Sequence, residues 1–451
     1  EYGSIIKLEE KNYEALAAAW REMPTEDNVS LWYDEIKKTA PQIIEQAIIL
    51  TQKYDVVITN PPYMGSNGMN EKLSEYVKKN YPDSKSDLFA VFMEKCAELT
   101  QNGGYQAMIT QHAWMFLSSY EKLRAKILAN DIVNMAHLGP RAFEEIGGEV
   151  VQTASFVIRK SRTAGYAGRY ARLIEPTTQQ GKEEMFLNGE NRFTAKQENF
   201  AKIPGSPVAY WVSSAVFSSF QTGIKISNFA EGRVGLQTGN NTIFLRLWHE
   251  IDYNKISFNA NLSFKWFPYN KGGNFRRWYG NNEYVLNWEN DGAEIKAYRG
   301  SFPRNTRYYF KEGLTWSDVT TGEISMRKML TGFIFDTCAP CLFSSNESST
   351  LLAFFNSKVA QIYMDLMSPT MHYTCGVVTN IPYIESTINT ITLVKSAVEL
   401  SQQDWDSFET SWDFKTHPLI AHNSDGLLET AFESWRDCAE KRFYQLKANE
   451  E

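Results

Sequence analysis

Cysteine is scarce in this chain, with five in 451 residues, at positions 96, 338, 341, 375 and 438. So odd and sparse a set excludes a disulfide framework. Cys338-Ala-Pro-Cys341 has no second pair to complete a zinc site, so the thiols are expected to be buried. His112, His137 and His372 stand at no metal-ligand spacing, and no metal is expected. Long apolar runs are missing too: none approaches the roughly 18 residues that a membrane-crossing helix requires. The first residues, EYGSIIKLEEKNYE, lack the basic and apolar regions of a secretion signal. The expectation is a cytoplasmic protein with no membrane partner. An overall excess of positive charge is also absent, the formal net charge being −7. That average hides a regional contrast, since residues 221–330 hold 15 Lys+Arg against 10 Asp+Glu while the remainder holds 31 against 43. A local excess of this size is weak support for a phosphate-facing surface, and an ordinary solvated surface remains the alternative.

The chain is not short of core-forming residues. At 43% hydrophobic and 14% aromatic, 451 residues suffice for two or three globular domains. In the first third, helical and extended patterns alternate. Periodicity predicts helices over 12–22 and 31–53, a strand at YDVVIT, a helix at SDLFAVFMEKCAELTQNGG closed by Gly103-Gly104, and a strand at YQAMIT. A helix at SYEKLRAKILAND and strands at IVNMAHLG and TASFVIRK follow. This alternation signals an α/β fold with a mostly parallel sheet. After about residue 175 the pattern breaks. EPTTQQGKEEMFLNGENRF reads as a linker, residues up to about 385 as short strands and turns rich in aromatics, Gly and Asn, and the rest as a helical tail.

The stretch VVITNPPYMG, residues 56–65, stands out. Ligands of parallel α/β sheets sit beyond the carboxyl ends of the strands, which is where Asn60-Pro61-Pro62-Tyr63 falls. Two prolines in succession fix the backbone and aim the Pro61 carbonyl in one direction. The result is a rigid bracket with two oxygen acceptors, the Asn60 side chain and the Pro61 carbonyl, beside the Tyr63 ring. Such a bracket suits an exocyclic amino group on a planar base, whose lone pair is delocalised into the ring. Two acceptors on its hydrogens favour a pyramidal nitrogen and take up the charge that develops as it attacks a methyl group, while Tyr63 stacks on the base. A base inside a duplex reaches such a site only by being flipped out. A rigid turn without chemistry is the alternative.

These residues resemble motif IV of the amino-group DNA methyltransferases that use S-adenosylmethionine, and Asn in first place resembles the adenine-specific ones. SKSDLFAVFMEK resembles the next motif, in which the aromatic matching Phe92 packs against the cofactor adenine. HLGPRAFEEIGGEV resembles the motif whose aromatic, here Phe143, covers the second face of the flipped base. Either phenylalanine could equally be a core residue. Taken with EYGSIIK, WMFLSSYEKLR, YNKGGNFRRWYGN, GLTWSDV and DWDSFETSWDF, the chain resembles the PglX-type adenine methyltransferases of BREX phage-defence systems. Type IIG restriction-modification methyltransferases are the nearest relatives of that family.

The resemblance implies a partial Rossmann-like methyltransferase domain over 1–175, an α+β target recognition domain over 200–385 and a helical tail over 386–451. It implies S-adenosylmethionine as cofactor, and double-stranded DNA and other defence-system proteins as partners. In the second region YNKGGNFRRWYGN sets Lys271, Arg276, Arg277 and Trp278 among other aromatics, where cations can meet phosphates or guanine edges and rings can stack on bases. A solvent-facing loop over an aromatic minicore is the alternative. Arg299, Arg304, Arg307, Arg327 and Lys328 could extend that patch. One departure matters: the family's glycine-rich cofactor loop precedes motif IV, yet Gly3 is the single glycine before Asn60. Gly147-Gly148 and Gly272-Gly273 read as turns rather than as a substitute loop. The expectation is an internal fragment of an adenine-specific methyltransferase, inactive by itself. A DNA-recognition module without activity of its own is the second reading.

Overall fold

The computed structural model describes every residue except 1, 10, 24–30, 144–150, 321, 346–347, 369–371 and 386–389. Gly147-Gly148 therefore lies outside the described residues. Two compact units emerge, Glu1–Phe217 and Ser218–Glu451, and the architecture is mixed α/β.

In the first unit the β-branched run of YDVVIT forms β1 (Tyr54–Thr59), as its residues favour. The remaining strands are β2 (Thr100–Gln111), β3 (Asp131–Gly139), β4 (Thr153–Arg159), β5 (Ala167–Arg172) and β6 (Arg192–Lys196). They form one sheet in the order β1-β2-β4-β3-β5-β6. β1 pairs parallel with β2 and β3 with β5, whereas β4 runs antiparallel to both β2 and β3, and β6 antiparallel to β5. Four strands thus share a direction and two oppose it. The hairpin from β3 to β4 is what makes the expectation of a mostly parallel sheet true of strand direction but not of pairing. The helices are α1 (Tyr13–Arg21), α2 (Leu31–Thr51), α3 (Glu71–Asn80), α4 (Leu88–Leu99), α5 (Glu121–Leu128) and α6 (Gln179–Leu187). Phe89, Ala90, Val91 and Met93 of α4 are buried, as are Met108, Met135 and Phe156 of the strands. β1 is the exception: it lies at the sheet's edge, with Val56 55% and Ile58 74% exposed.

Two sequence expectations are corrected here. Gly103-Gly104 does not close α4, which ends at Leu99, but lies inside β2 at a register irregularity against β1. Gly103 has φ +83°, and a Cβ on Gly104 would stand 2.7 Å from the Asp55 carbonyl oxygen, so these glycines let the two backbones approach. Nor are residues 175–193 a linker. They contain α6 and lead into β6, and the buried Lys182 of α6 donates to the Leu138 and Leu173 carbonyls at 2.7 and 2.8 Å.

The second unit has two four-stranded sheets. One runs Ile334–Phe335, Trp266–Asn270, Tyr284–Asn287, Leu245–Leu247, and the other Arg327–Met329, Gly313–Thr315, Cys341–Ser344, Ala230–Arg233. Its core is aromatic, with Trp288, Tyr269, Phe267 and Phe335 buried. Helices Ile391–Trp405 and Leu428–Glu450 follow. Cys96 and Cys341 are buried and Cys375 half-buried, but Cys338 and Cys438 are exposed, which corrects the expectation of buried thiols. Cys338 sits in a turn, and Cys438 on a long helix of which Ala431 is the residue buried. Among the described residues no helix is long and apolar enough to cross a membrane.

Candidate functional site

β1, β2, β3 and β5 end at one edge of the first unit's sheet. Asn60-Pro61-Pro62-Tyr63 leaves β1 there, His112 leaves β2, and Phe143 follows β3 by four residues. Phe143 is partly buried, and the residues after it lie outside the described set. Pro61 is buried and Pro62 exposed.

The loop leaves a paired strand, Thr59 standing opposite Met108 of β2, and is fastened again at its far end. The Tyr63 hydroxyl donates to the Ile109 carbonyl of β2 at 3.3 Å, and its ring meets Phe89 of α4 edge-on at 6.2 Å. Burial, and then the nearby Asp87 carboxylate, push the Tyr63 phenol up to about 12. The next residues are clamped to the segment before α4. Met64 N donates to Asp87 Oδ1 at 3.0 Å, Leu88 N to the Met64 carbonyl at 3.0 Å, and Ser66 N to the Ser86 carbonyl at 3.0 Å. Asp87 Oδ1 also accepts from Phe89 N at 3.2 Å and so caps α4. Burial raises the Asp87 carboxyl above the usual carboxylate range, and the N–H donors of Phe89, Met64 and Leu88 oppose that rise.

Asn60 differs from its surroundings. Its amide is exposed and has no hydrogen-bond partner among the described residues, whereas Asn70, ten residues on, is committed to capping α3. The bracket therefore presents an uncommitted amide on a backbone that is held in place.

Asp87 was not singled out by sequence reasoning. The signal was present, because an Asp directly before an apolar helical run is an N-cap pattern. A second feature not foreseen is a buried polar chain at the same sheet edge. His112 Nδ1 and His137 Nε2 are 2.8 Å apart, and His137 Nδ1 is 3.1 Å from the Tyr210 hydroxyl. Phe116 and Trp211 pack around them. Burial pushes His112 down to about 4, and burial followed by the neighbouring His112 pushes His137 down to about 3. Both imidazoles are neutral at pH 7, and two histidines 25 residues apart give no spacing by which a sequence betrays the pair. Buried Arg124 braces the loop after β2, donating to the Trp114 and Leu117 carbonyls at 2.9 and 2.8 Å.

Phe92, on α4, is partly buried against a cluster of Ile5, Met69, Val77, Tyr81, Leu88 and Val91. In the second unit, the set Lys271, Arg276, Arg277 and Trp278 is brought together with carboxylates. Arg276 lies 3.7 Å from Asp404 and over the Trp405 ring at 4.8 Å. Arg277 lies 2.6 Å from Glu323 and 3.4 Å from Glu450. Trp278 is buried, with positive φ, and its Nε1 donates to Glu450 at 2.6 Å. Lys271 is 3.9 Å from Asp336. Arg327 is fully buried, and Lys328 pairs with Glu312 at 3.2 Å. Among the described residues no cluster of three or more His, Cys, Asp or Glu could hold a metal ion.

Residues 4–142 match the Eco57I restriction-modification methylase family. The chain is 44% identical over 428 residues to the adenine-specific methyltransferase PglX of Lacticaseibacillus casei, an alignment covering 89% of this chain and 36% of that protein. It is 40% identical over 458 residues to the adenine-specific methyltransferase BrxX of Escherichia coli, covering 98% of this chain and 37% of that one. The chain thus spans little more than a third of the length of these relatives. Among solved structures, the type IIL restriction-modification enzyme MmeI in complex with DNA aligns with 86% of the chain and 54% of its own, at 14% identity and TM-score 0.50.

Proposed function

We propose that this chain, a relative by sequence of the PglX and BrxX adenine-specific methyltransferases, supplies the base-handling part of a phage-defence DNA methyltransferase acting on adenine N6. The observation that carries the reading is the clamped Asn60-Pro61-Pro62-Tyr63 bracket, whose Asn60 amide has no hydrogen-bond partner among the described residues and stands at the carboxyl edge of the sheet.

A flipped adenine enters with its amino group toward the bracket. Asn60 Oδ1 and the Pro61 carbonyl accept its two hydrogens, drawing the nitrogen out of conjugation and offsetting the positive charge that grows on it. The Tyr63 ring stacks on one face of the base and Phe143 covers the other. Tyr63 keeps its proton, since the phenol is pushed up to about 12, and the Asp87 carboxylate is taken up by backbone N–H groups. Neither is the base. The alkylated nitrogen is acidic enough to release its proton to water.

S-adenosylmethionine supplies the methyl group when bound. Of the groups that hold it, this chain fits one part: Phe92 offers a partly exposed apolar face to an adenine ring. Residues 1–175 belong to the catalytic domain, 200–385 recognise the DNA sequence, and 386–451 form a helical tail.

The test is Asn60→Ala in the protein that carries this chain, read by tritium transfer from labelled cofactor to duplex DNA. A loss of about 100-fold or more is expected, with DNA affinity and melting temperature unchanged. Methylation at the parental rate overturns the reading.

A further inference from the structure

The cations that sequence reading placed on DNA, Arg276 and Arg277, are matched by carboxylates. A different part of the same unit carries more cations than carboxylates to match them. Residues 298–311, YRGSFPRNTRYYFK, hold four cations and no acid, and residues 232–248, GRVGLQTGNNTIFLRLW, hold two cations and no acid.

The fold joins the two segments. Gln237 N donates to the Phe302 carbonyl at 3.1 Å and Phe302 N to the Gln237 carbonyl at 2.8 Å. Asn305, in the left-handed region at φ +55°, donates from Nδ2 to the Val234 carbonyl at 2.9 Å. At the junction, a Cβ on Gly239 would stand 2.7 Å from the Gly300 carbonyl carbon, so the backbones touch. On this platform Arg233, Arg307 and Lys311 surround the single ring of Tyr308 at 5.3, 4.9 and 5.5 Å. Among the described residues Glu231 alone answers them, receiving the Tyr308 hydroxyl and pairing with Arg233 and Arg307. Arg307 is 72% exposed in its side chain. Arg299 and Arg304 are exposed and have no partner among the described residues, and Phe302 between them is 52% exposed.

We infer that this two-segment platform is the surface on which the second unit meets the phosphate backbone of duplex DNA. Three cations held about one ring against one carboxylate repel one another, and a row of phosphates relieves that repulsion while its condensed counterions are released. Rigid backbone beneath the arginines lowers the ordering cost of binding. Phosphate contacts of this kind position the duplex without reading its sequence.

The inference rests on DNA being the substrate, and the experiment separates the two. Binding of the chain to a cognate and a scrambled duplex is titrated at four salt concentrations, for the parent, for Arg299→Ala/Arg304→Ala/Arg307→Ala and for Arg276→Ala/Arg277→Ala. The triple variant is expected to bind both duplexes more weakly to the same degree and to lower the slope of log K against log salt by about 2 to 3, at ~0.9 for each phosphate no longer neutralised. The double variant keeps the parental slope. Parental slope and affinity in the triple variant overturn the platform while leaving the substrate intact. A parent that binds neither duplex at the lowest salt overturns the DNA reading of this unit and the platform with it. Loss confined to the cognate duplex also overturns the platform as a phosphate surface, because it would mean base readout.

Discussion

Replacing Asp87 with Ala tests whether the Asn60–Tyr63 bracket is held from outside itself. In the parent one oxygen, Oδ1, accepts from Met64 N at 3.0 Å and Phe89 N at 3.2 Å. The substitution removes an N-cap, which costs about 0.5–2 kcal/mol. It also leaves the Met64 N–H without its charged acceptor, a further loss of about 1–3 kcal/mol. Some of the second loss is recovered by water, because Met64 is exposed, so the sum falls at about 2–3 kcal/mol. At about 2–4 °C per kcal/mol for a unit of this size, the melting temperature of the first unit drops by roughly 5–10 °C. Two links to the segment before α4 survive, Leu88 N to Met64 O and Ser66 N to Ser86 O, so the loop loosens without detaching. Asp87→Asn keeps an oxygen acceptor and sheds a charge that burial penalises, so it loses much less. Because the folded carboxyl is raised, the parent binds a proton more readily folded than unfolded. Its penalty is therefore full above the folded value, fades as pH falls through that value, and is gone below the unfolded one. Scanning calorimetry of the three proteins, with methyl-transfer rates beside it, checks this. An Asp87→Ala variant that melts with the parent would show that Asp87 is not what fastens the bracket.

The remaining expectations concern the sheet and its edge. In the protein that carries this chain, Tyr63→Phe loses a long hydrogen bond to Ile109 and should methylate within about twofold of the parent, whereas Tyr63→Ala loses the stacking face, worth about 1–3 kcal/mol per base, and should fall by about 5- to 150-fold; equal losses would refute the stacking role. His112 and His137 are both lowered in the fold. The unfolded chain therefore binds their protons first, and stability is full above about pH 6.5 and declines as pH falls toward 4. Urea midpoints at pH 7, 6 and 5 should fall steadily, less so in His112→Gln/His137→Gln, and parallel slopes would refute the pair's contribution. Gly104→Ala drives a Cβ against the Asp55 carbonyl and should destabilise by about 1–3 kcal/mol, as overpacking does; an unchanged urea midpoint would place the β1–β2 irregularity elsewhere.

Much of the first unit was legible because its elements carry strong periodic signals. YDVVIT and IVNMAHLG appear as strands within a residue or two of where reading placed them. The misreadings share a cause, which is that a local pattern was silent about a distant partner. α6 offers no apolar stripe, because the residue it buries is Lys182, whose carbonyl partners lie on other segments. Gly103-Gly104 reads as a helix stop, and it takes the neighbouring strand to show why the glycines are needed. A different case is YNKGGNFRRWYGN, whose sequence does not show the partners of its arginines, because Asp404 and Glu450 come more than a hundred residues later. In the site itself, Asn60 to Tyr63 stood out because two prolines after a buried-looking strand are rare chemistry. The His112–His137 pair did not, since only the pleat of two strands brings it together.

The exposed edge of β1 has a consequence for anyone who handles this chain in a test tube. Val56 and Ile58 face solvent on a strand that, among the described residues, has a neighbour on one side only. Its free N–H and C=O groups are a template for another strand, and two copies laid edge to edge would cover both the hydrogen-bonding row and the greasy side chains. Asp55 is the one charge within the strand that resists such pairing. Concentrated solutions of the chain by itself should therefore self-associate through residues 54–59, and Ile58→Lys should keep them dispersed.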